Sequence, residues 1–254
     1  VVAGAVAVGV LVLPASGSAW SPRTQQAIAA DAARLAPPDL AQLMFRHAEE
    51  LAKGAIEPFS EGHAERHYQN PDGTGTLTAT LDAEVAAAIE AIREHHPFAE
   101  VVRRLGRVSH WAGDLDNPLN TSAADPEEPR YFLDYLSYAE SAEARFAVVV
   151  YQQKPPILTP ADLAAYERDA LARGRLLYPM IGGEYRRVGF ASGSRAFDDH
   201  STAFGLASLA YSHSVTDAAR LFRYIWISAG GSDPRSVFAR ARDRVLLLDR
   251  GGAP

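Results

Sequence analysis

The stretch SHWAGDLDNPLN, Ser109 to Asn120, sets a histidine and an aspartate four residues apart. On a helix, His110 and Asp114 project from one face about 6 Å apart and can reach a single ion. Gly113 leaves room beside them, and Asn117-Pro118 ends the helix because proline has no N–H to continue the ladder. The same spacing also suits an ordinary buried histidine hydrogen-bonded to an aspartate, and alone it does not separate the two.

A second cluster, HAERHYQNPDG, carries His63 and His67 at the same spacing, with Glu57 ten residues before His67. A solvated two-histidine loop rich in Gly, Pro, Asn and Asp is one reading of it. The other takes Glu57, His67, His110 and Asp114 together as a nitrogen and oxygen ligand set suited to zinc. The chain has no cysteine, so thiolate sites and disulfides are excluded. The remaining histidines carry less. His47 lies on a charged helix face, His95 and His96 precede a proline at a helix end, and His200 and His213 flank a helix as structural or exposed groups. The run GGEYRRVG follows no clear strand, which argues against a phosphate loop.

These side chains need a frame, and 254 residues with 47% hydrophobic and 22% charged content suit one folded domain over positions 20–249. A net charge of −6 gives no reason to expect a large polyanion as partner, although an ion in the site would still attract one phosphate. The opening VVAGAVAVGVLVLPASGSA is too short an apolar run to span a bilayer. It reads as part of an export signal over 1–19 with Gly17 and Ala19 at the cleavage positions, which implies a periplasmic or secreted protein; an N-terminal lipid-facing anchor and a buried helix are the alternatives. The mature chain would then start at Trp20, contain no transmembrane helix and act as a monomer.

Apolar residues at three- and four-residue spacing predict helices over 24–35, 38–53, 77–95 and 97–112. The segment 127–150 reads as a helix with a strand as the alternative for its β-branched end. Thr159-Pro160 starts a helix to about Tyr178, a loop follows, and 197–210 with 215–229 form a helical pair closed by Gly230-Gly231. A last helix is expected over 234–248, with a flexible tail from 250. The class is all-α, a multi-helix bundle.

The arrangement of motifs resembles the zinc-dependent phospholipase C and S1/P1 nuclease family of secreted all-α phosphodiesterases. The points of likeness are the Ala-Trp at the cleavage position, RHYQNPDG against a His-Phe-Tyr-x-Pro-Asp motif, LGRVSHWAGDLDNPLN against a Leu-Gly-x-x-x-His-x-x-Gly-Asp-x-x-x-Pro-x-His motif, and the closing VTDAARLFRYIWISAGG. The family holds three zinc ions, and the resemblance implies Glu57, His67, His110 and Asp114 as ligands of the first. It implies Trp20, through its amine and carbonyl, for the third, but Gln25 stands where that ion takes a histidine. The second ion's positions read Asn120, Arg130 and Asp134, and an arginine cannot bind a cation.

One zinc is therefore expected, fewer than the family's three. The activity implied is hydrolysis of a phosphodiester or phospholipid head group by attack of metal-activated water on phosphorus, with Asp114 as ligand and Glu57 as ligand or base. Arg130 is a candidate contact for a phosphate oxygen, with an Arg130–Asp134 ion pair as the ordinary explanation. The rival reading is a catalytically degenerate member that keeps the helical scaffold and a metal, and serves as a metal-binding or envelope interaction protein.

Overall fold

In the computed structural model, residues 20–122, 125–233, 238 and 244–250 are described; the expected export signal lies outside them. Ser21 caps the first helix by accepting a hydrogen bond from the Thr24 amide, and Pro22 presets its first turn, so α1 runs Pro22–Ala33. The span 38–53, expected as one helix, is two: α2 covers Pro38–Arg46 and α3 covers Ala48–Ile56, with the chain bent at His47 (φ −115°, ψ 35°). α4 spans Leu77–Arg93 and α5 spans Phe98–Asp116. Between them His95 takes a left-handed conformation (φ 58°) that turns the chain before Pro97.

α6 covers Phe132–Ala142, and the β-branched end of that segment forms a strand, β1, Val149–Tyr151. A capping box of Thr159 and Asp162 starts α7, which runs Pro160–Val188. Pro179 and the glycine pair that suggested a loop lie inside this helix. Proline removes one rung, but Tyr178, Ile181 and Tyr185 are buried around it, and that burial holds the helix through the gap. The expected pair at 197–210 and 215–229 is one helix, α8, Thr202–Ser228. The polar Ser212-His213-Ser214 run that suggested a break is buried, and its hydroxyls find partners: Ser214 Oγ donates to the Ala210 carbonyl, and Ser212 Oγ accepts from Val149 N.

Most of the expected terminal helix lies outside the described residues, but its end is a strand. β2, Val245–Leu247, pairs antiparallel with β1, Val149 opposite Leu247. Arg250, expected in a flexible tail, is held by Asp31 (Nε to Oδ2, 2.8 Å) and Glu143 (Nη2 to Oε1, 2.7 Å) and lies over the Tyr211 ring. The architecture is all-α with this small two-stranded clip. Among the described residues no helix is long and apolar enough to cross a membrane.

α5 runs through the middle, packed by α1, α3, α4 and α8. Val102, Leu105, Val108, Trp111, Ala112 and Leu115 are buried along it. Its approach to α3 is set by two glycines. A Cβ on Gly54 would lie 1.9 Å from the Arg103 carbonyl oxygen, and one on Gly106 would lie 2.3 Å from that of Leu51. The two backbones touch where any side chain would part them.

Candidate metal centre

α5 presents His110 and Asp114 one turn apart, both fully buried, while the short 3-10 turn Ala64–His67 brings His67 against them. His67 Nδ1 lies 2.7 Å from Asp114 Oδ2 and 3.3 Å from His110 Nε2, and His110 Nε2 lies 3.3 Å from Asp114 Oδ2. Donor atoms around a tetrahedral zinc at ~2.0–2.2 Å stand about 3.3–3.6 Å apart. Two edges of this triangle already have that length, and the third, 2.7 Å, must open by about 0.6–0.9 Å.

The hydrogen bonds behind each ligand fix its orientation. His110 Nδ1 donates to the Ala55 carbonyl (2.8 Å), which leaves the Nε2 lone pair facing the centre. His67 is hydrogen-bonded on its far side to the Pro58 backbone. Both outer partners come from the same short segment, the end of α3 and the 3-10 turn Glu57–Ser60 that follows it. Asp114 Oδ1 accepts from Gln25 Nε2 at 3.0 Å. Each candidate ligand thus has a backbone or amide partner, the arrangement that holds metal ligands in register. Phe59 covers the imidazoles, stacked on His67 and edge-on to His110, and Trp111 lies behind both.

Burial works to lower the pKa of His67, but the hydrogen bond and charge of Asp114 outweigh it and the net shift is upward. For Asp114, burial works upward and is outweighed by its interactions with His110 and His67, so its carboxyl is held below the usual range. Without an ion, a proton on His67 Nδ1 bridges to Asp114 Oδ2 along one edge of the triangle. A divalent cation in its place meets the same three lone pairs, so the donor set fits zinc.

Glu57 is not part of this group. Its carboxylate is gripped by Arg103 (Nη2 to Oε1, 2.6 Å; Nε to Oε2, 3.1 Å) with Arg107 at 3.6 Å, because the turn that aims the Ala55 and Pro58 carbonyls inward aims Glu57 outward. Trp20 is buried beside the centre, its indole N–H donating to the Gly113 carbonyl (2.9 Å). Asn120 is buried, its Nδ2 without a hydrogen-bond partner among the described residues. Arg130 is exposed, bonded to Glu127 (3.0 Å) and stacked over Phe190; the expected Arg130–Asp134 pair is not formed, since Asp134 is taken by Tyr185 and Ser194.

Sequence reasoning missed a buried ion network behind the same turn of α5. Asp217 of α8 binds Lys154, Arg173 and Arg220, and Arg173 also reaches Asp116 (2.7 Å). Burial and the neighbouring Asp217 charge push Asp116 up to about 6, while Lys154 and the two arginines overcome burial and hold Asp217 far below the usual range. The sequence hinted at it only through the three-residue spacing of Asp217 and Arg220.

With this geometry in hand, comparison with known proteins adds one finding. The alpha-toxin of Clostridium perfringens from avian strain SWCP superposes with a TM-score of 0.53 and 11% identity, over 86% of this chain and 66% of the toxin chain. The likeness is one of fold. It establishes the all-helical phospholipase C type of architecture for this chain. The chain spans just under two thirds of the toxin's length. No family model and no curated protein sequence matches the chain.

Proposed function

We propose that this chain is an exported metal-dependent hydrolase of phosphodiesters, phospholipid head groups foremost, acting as a monomer through one zinc ion held by His67 Nδ1, His110 Nε2 and Asp114 Oδ2. The observation that carries the reading is the outer hydrogen bonding: three converging ligands, each braced on its far side by Ala55, Pro58 or Gln25. Metal-ligating histidines and carboxylates are oriented by outer partners of this kind. The phospholipase C type of fold supports the choice of reaction class.

When bound, zinc lowers the pKa of a water to about 7 and polarises a phosphoryl oxygen. The chain's own residues do the rest. The Ala55 carbonyl keeps the His110 proton on Nδ1, and the Pro58 backbone keeps His67 turned so that Nδ1 faces inward. Asp114 supplies the negative charge, and Phe59 with Trp111 excludes bulk water and strengthens each electrostatic contact. Glu57 serves as base or fourth ligand only on leaving Arg103, and in the same way Arg130 is the nominated contact for a phosphate oxygen.

The near-complete burial of the three side chains favours a second reading, a metal-binding scaffold without turnover. One experiment separates them. Purified protein starting at Trp20 is assayed for zinc and for hydrolysis of a generic phosphodiester, before and after chelation and in His110→Ala. Stoichiometric zinc with chelation-sensitive hydrolysis supports the enzyme. Stoichiometric zinc without hydrolysis supports the scaffold, and zinc well below one per chain overturns both.

A further inference from the structure

Gln25 is fully buried on α1 and bonds the oxygen of Asp114 that His67 does not. Its side-chain nitrogen lies 3.0 Å from Asp114 Oδ1 and 3.4 Å from the His110 carbonyl oxygen. Both neighbours are acceptors, so the atom facing them must be the donor end of the amide. The other end, Oε1, has no hydrogen-bond partner among the described residues and lies against Gly113, where an added Cβ would come within 2.8 Å of it. A buried amide oxygen left unpaired is destabilising, because it gives up its hydrogen bond to water and gains none. That cost is tolerated for one contact, the N–H to Asp114.

We infer that Gln25 is the positioning residue of the metal centre. By occupying Oδ1 with a neutral donor it holds Asp114 to one metal-binding oxygen, Oδ2, and limits the centre to one divalent ion. A carboxylate with both oxygens free can bridge two cations or chelate one; an amide N–H on Oδ1 takes one lone pair of that oxygen and sets a positive dipole against a second cation there, so binding through Oδ2 is favoured. The Trp20 indole, bonded to the Gly113 carbonyl, pins the start of α1 to the same turn of α5, so Gln25 is delivered from a fixed direction. This inference rests on the metal reading above.

The test is titration of metal-free protein with Co2+, followed by visible absorption and calorimetry. The unaltered protein is expected to take one ion per chain. Gln25→Met, of similar volume but with no donor, is expected to bind 10–100-fold more weakly and with a changed absorption band, because Asp114 is no longer held to one oxygen. Gly113→Ala, which displaces the same amide from outside, is expected to shift affinity the same way and covers the case in which Gln25→Met fails to fold. Thermal melts without metal report folding separately from binding. Affinity and band unchanged in Gln25→Met, or two ions in the unaltered protein, overturn the role of Gln25 while leaving the metal reading intact. No ion bound by the unaltered protein overturns the metal reading and this inference together.

Discussion

His67 and Asp114, 47 positions apart in the chain, meet nitrogen to oxygen at 2.7 Å in a buried site, with His110 closing the triangle. Two segments with no sequence relation are fixed against each other by that contact. Removing one vertex, as in His67→Ala, His110→Ala or Asp114→Asn, is expected to lower zinc affinity at least a hundredfold. Metal content after dialysis against a weak chelator measures it; an unchanged content in any of the three removes that residue from the ligand set.

Metal-free protein should show the pH signature of the same pair. The pKa of His67 is raised on folding, so its contribution to stability is complete below the unfolded value of 6.5 and is lost as pH rises through the folded value. Asp114, lowered on folding, acts oppositely: its contribution is present above 3.8 and is lost as pH falls through the folded value. Melting temperature without metal should therefore decline on the alkaline side of 6.5, and His67→Asn should flatten that decline. With zinc present the slope reverses, since the ion must displace the His67 proton.

Glu167 on α7 offers a second titration. Burial first, then the Asp82 charge, push its carboxyl up to about 8. An acid whose pKa is raised on folding is stabilising below its unfolded value of 4.5, and that stability drains away as pH climbs to 8. Glu167→Gln should remove the loss, so the variant gains on the unaltered protein at pH 8 relative to pH 5. Parallel melts at the two values decide it.

The grip of Arg103 on Glu57 predicts a small effect where the sequence promised a large one. Glu57→Gln should change zinc affinity by no more than about threefold and stability by about 1 kcal/mol or less, as for an exposed ion pair. A loss of tenfold or more would place Glu57 back among the ligands.

Asp217 is the only anion paired with Lys154 and Arg220 among the ion pairs of the described residues. Asp217→Asn leaves buried cations uncompensated and should cost about 3–5 kcal/mol. Chemical denaturation measures the cost, and a change under 1 kcal/mol would show that the cluster is solvated.

The helical class and the His110–Asp114 pairing were legible because both follow from local spacing, the 3.6-residue period and the four-residue offset. His67 was legible as a candidate ligand by residue type and by its match to the family motif, but its place in the triangle was not, since no local rule links residue 67 to residue 110. The fate of Glu57 was not legible. Its direction is set by a 3-10 turn whose carbonyls serve the histidines, and its partner is a helix 46 residues on. α7 and α8 were cut short for a related reason: Pro179 and the Ser212–Ser214 run weaken a helix locally, and only tertiary burial, invisible in a single sequence, overrides them.

Gly54 and Gly106 let the α3 and α5 backbones touch, and Ala55, next after Gly54, offers the carbonyl that decides which nitrogen of His110 carries a proton. Two hydrogen atoms in place of two side chains therefore choose a tautomer. A methyl group added at either position acts on the imidazole as surely as a change at the imidazole itself, by withdrawing the acceptor that keeps its inner lone pair exposed.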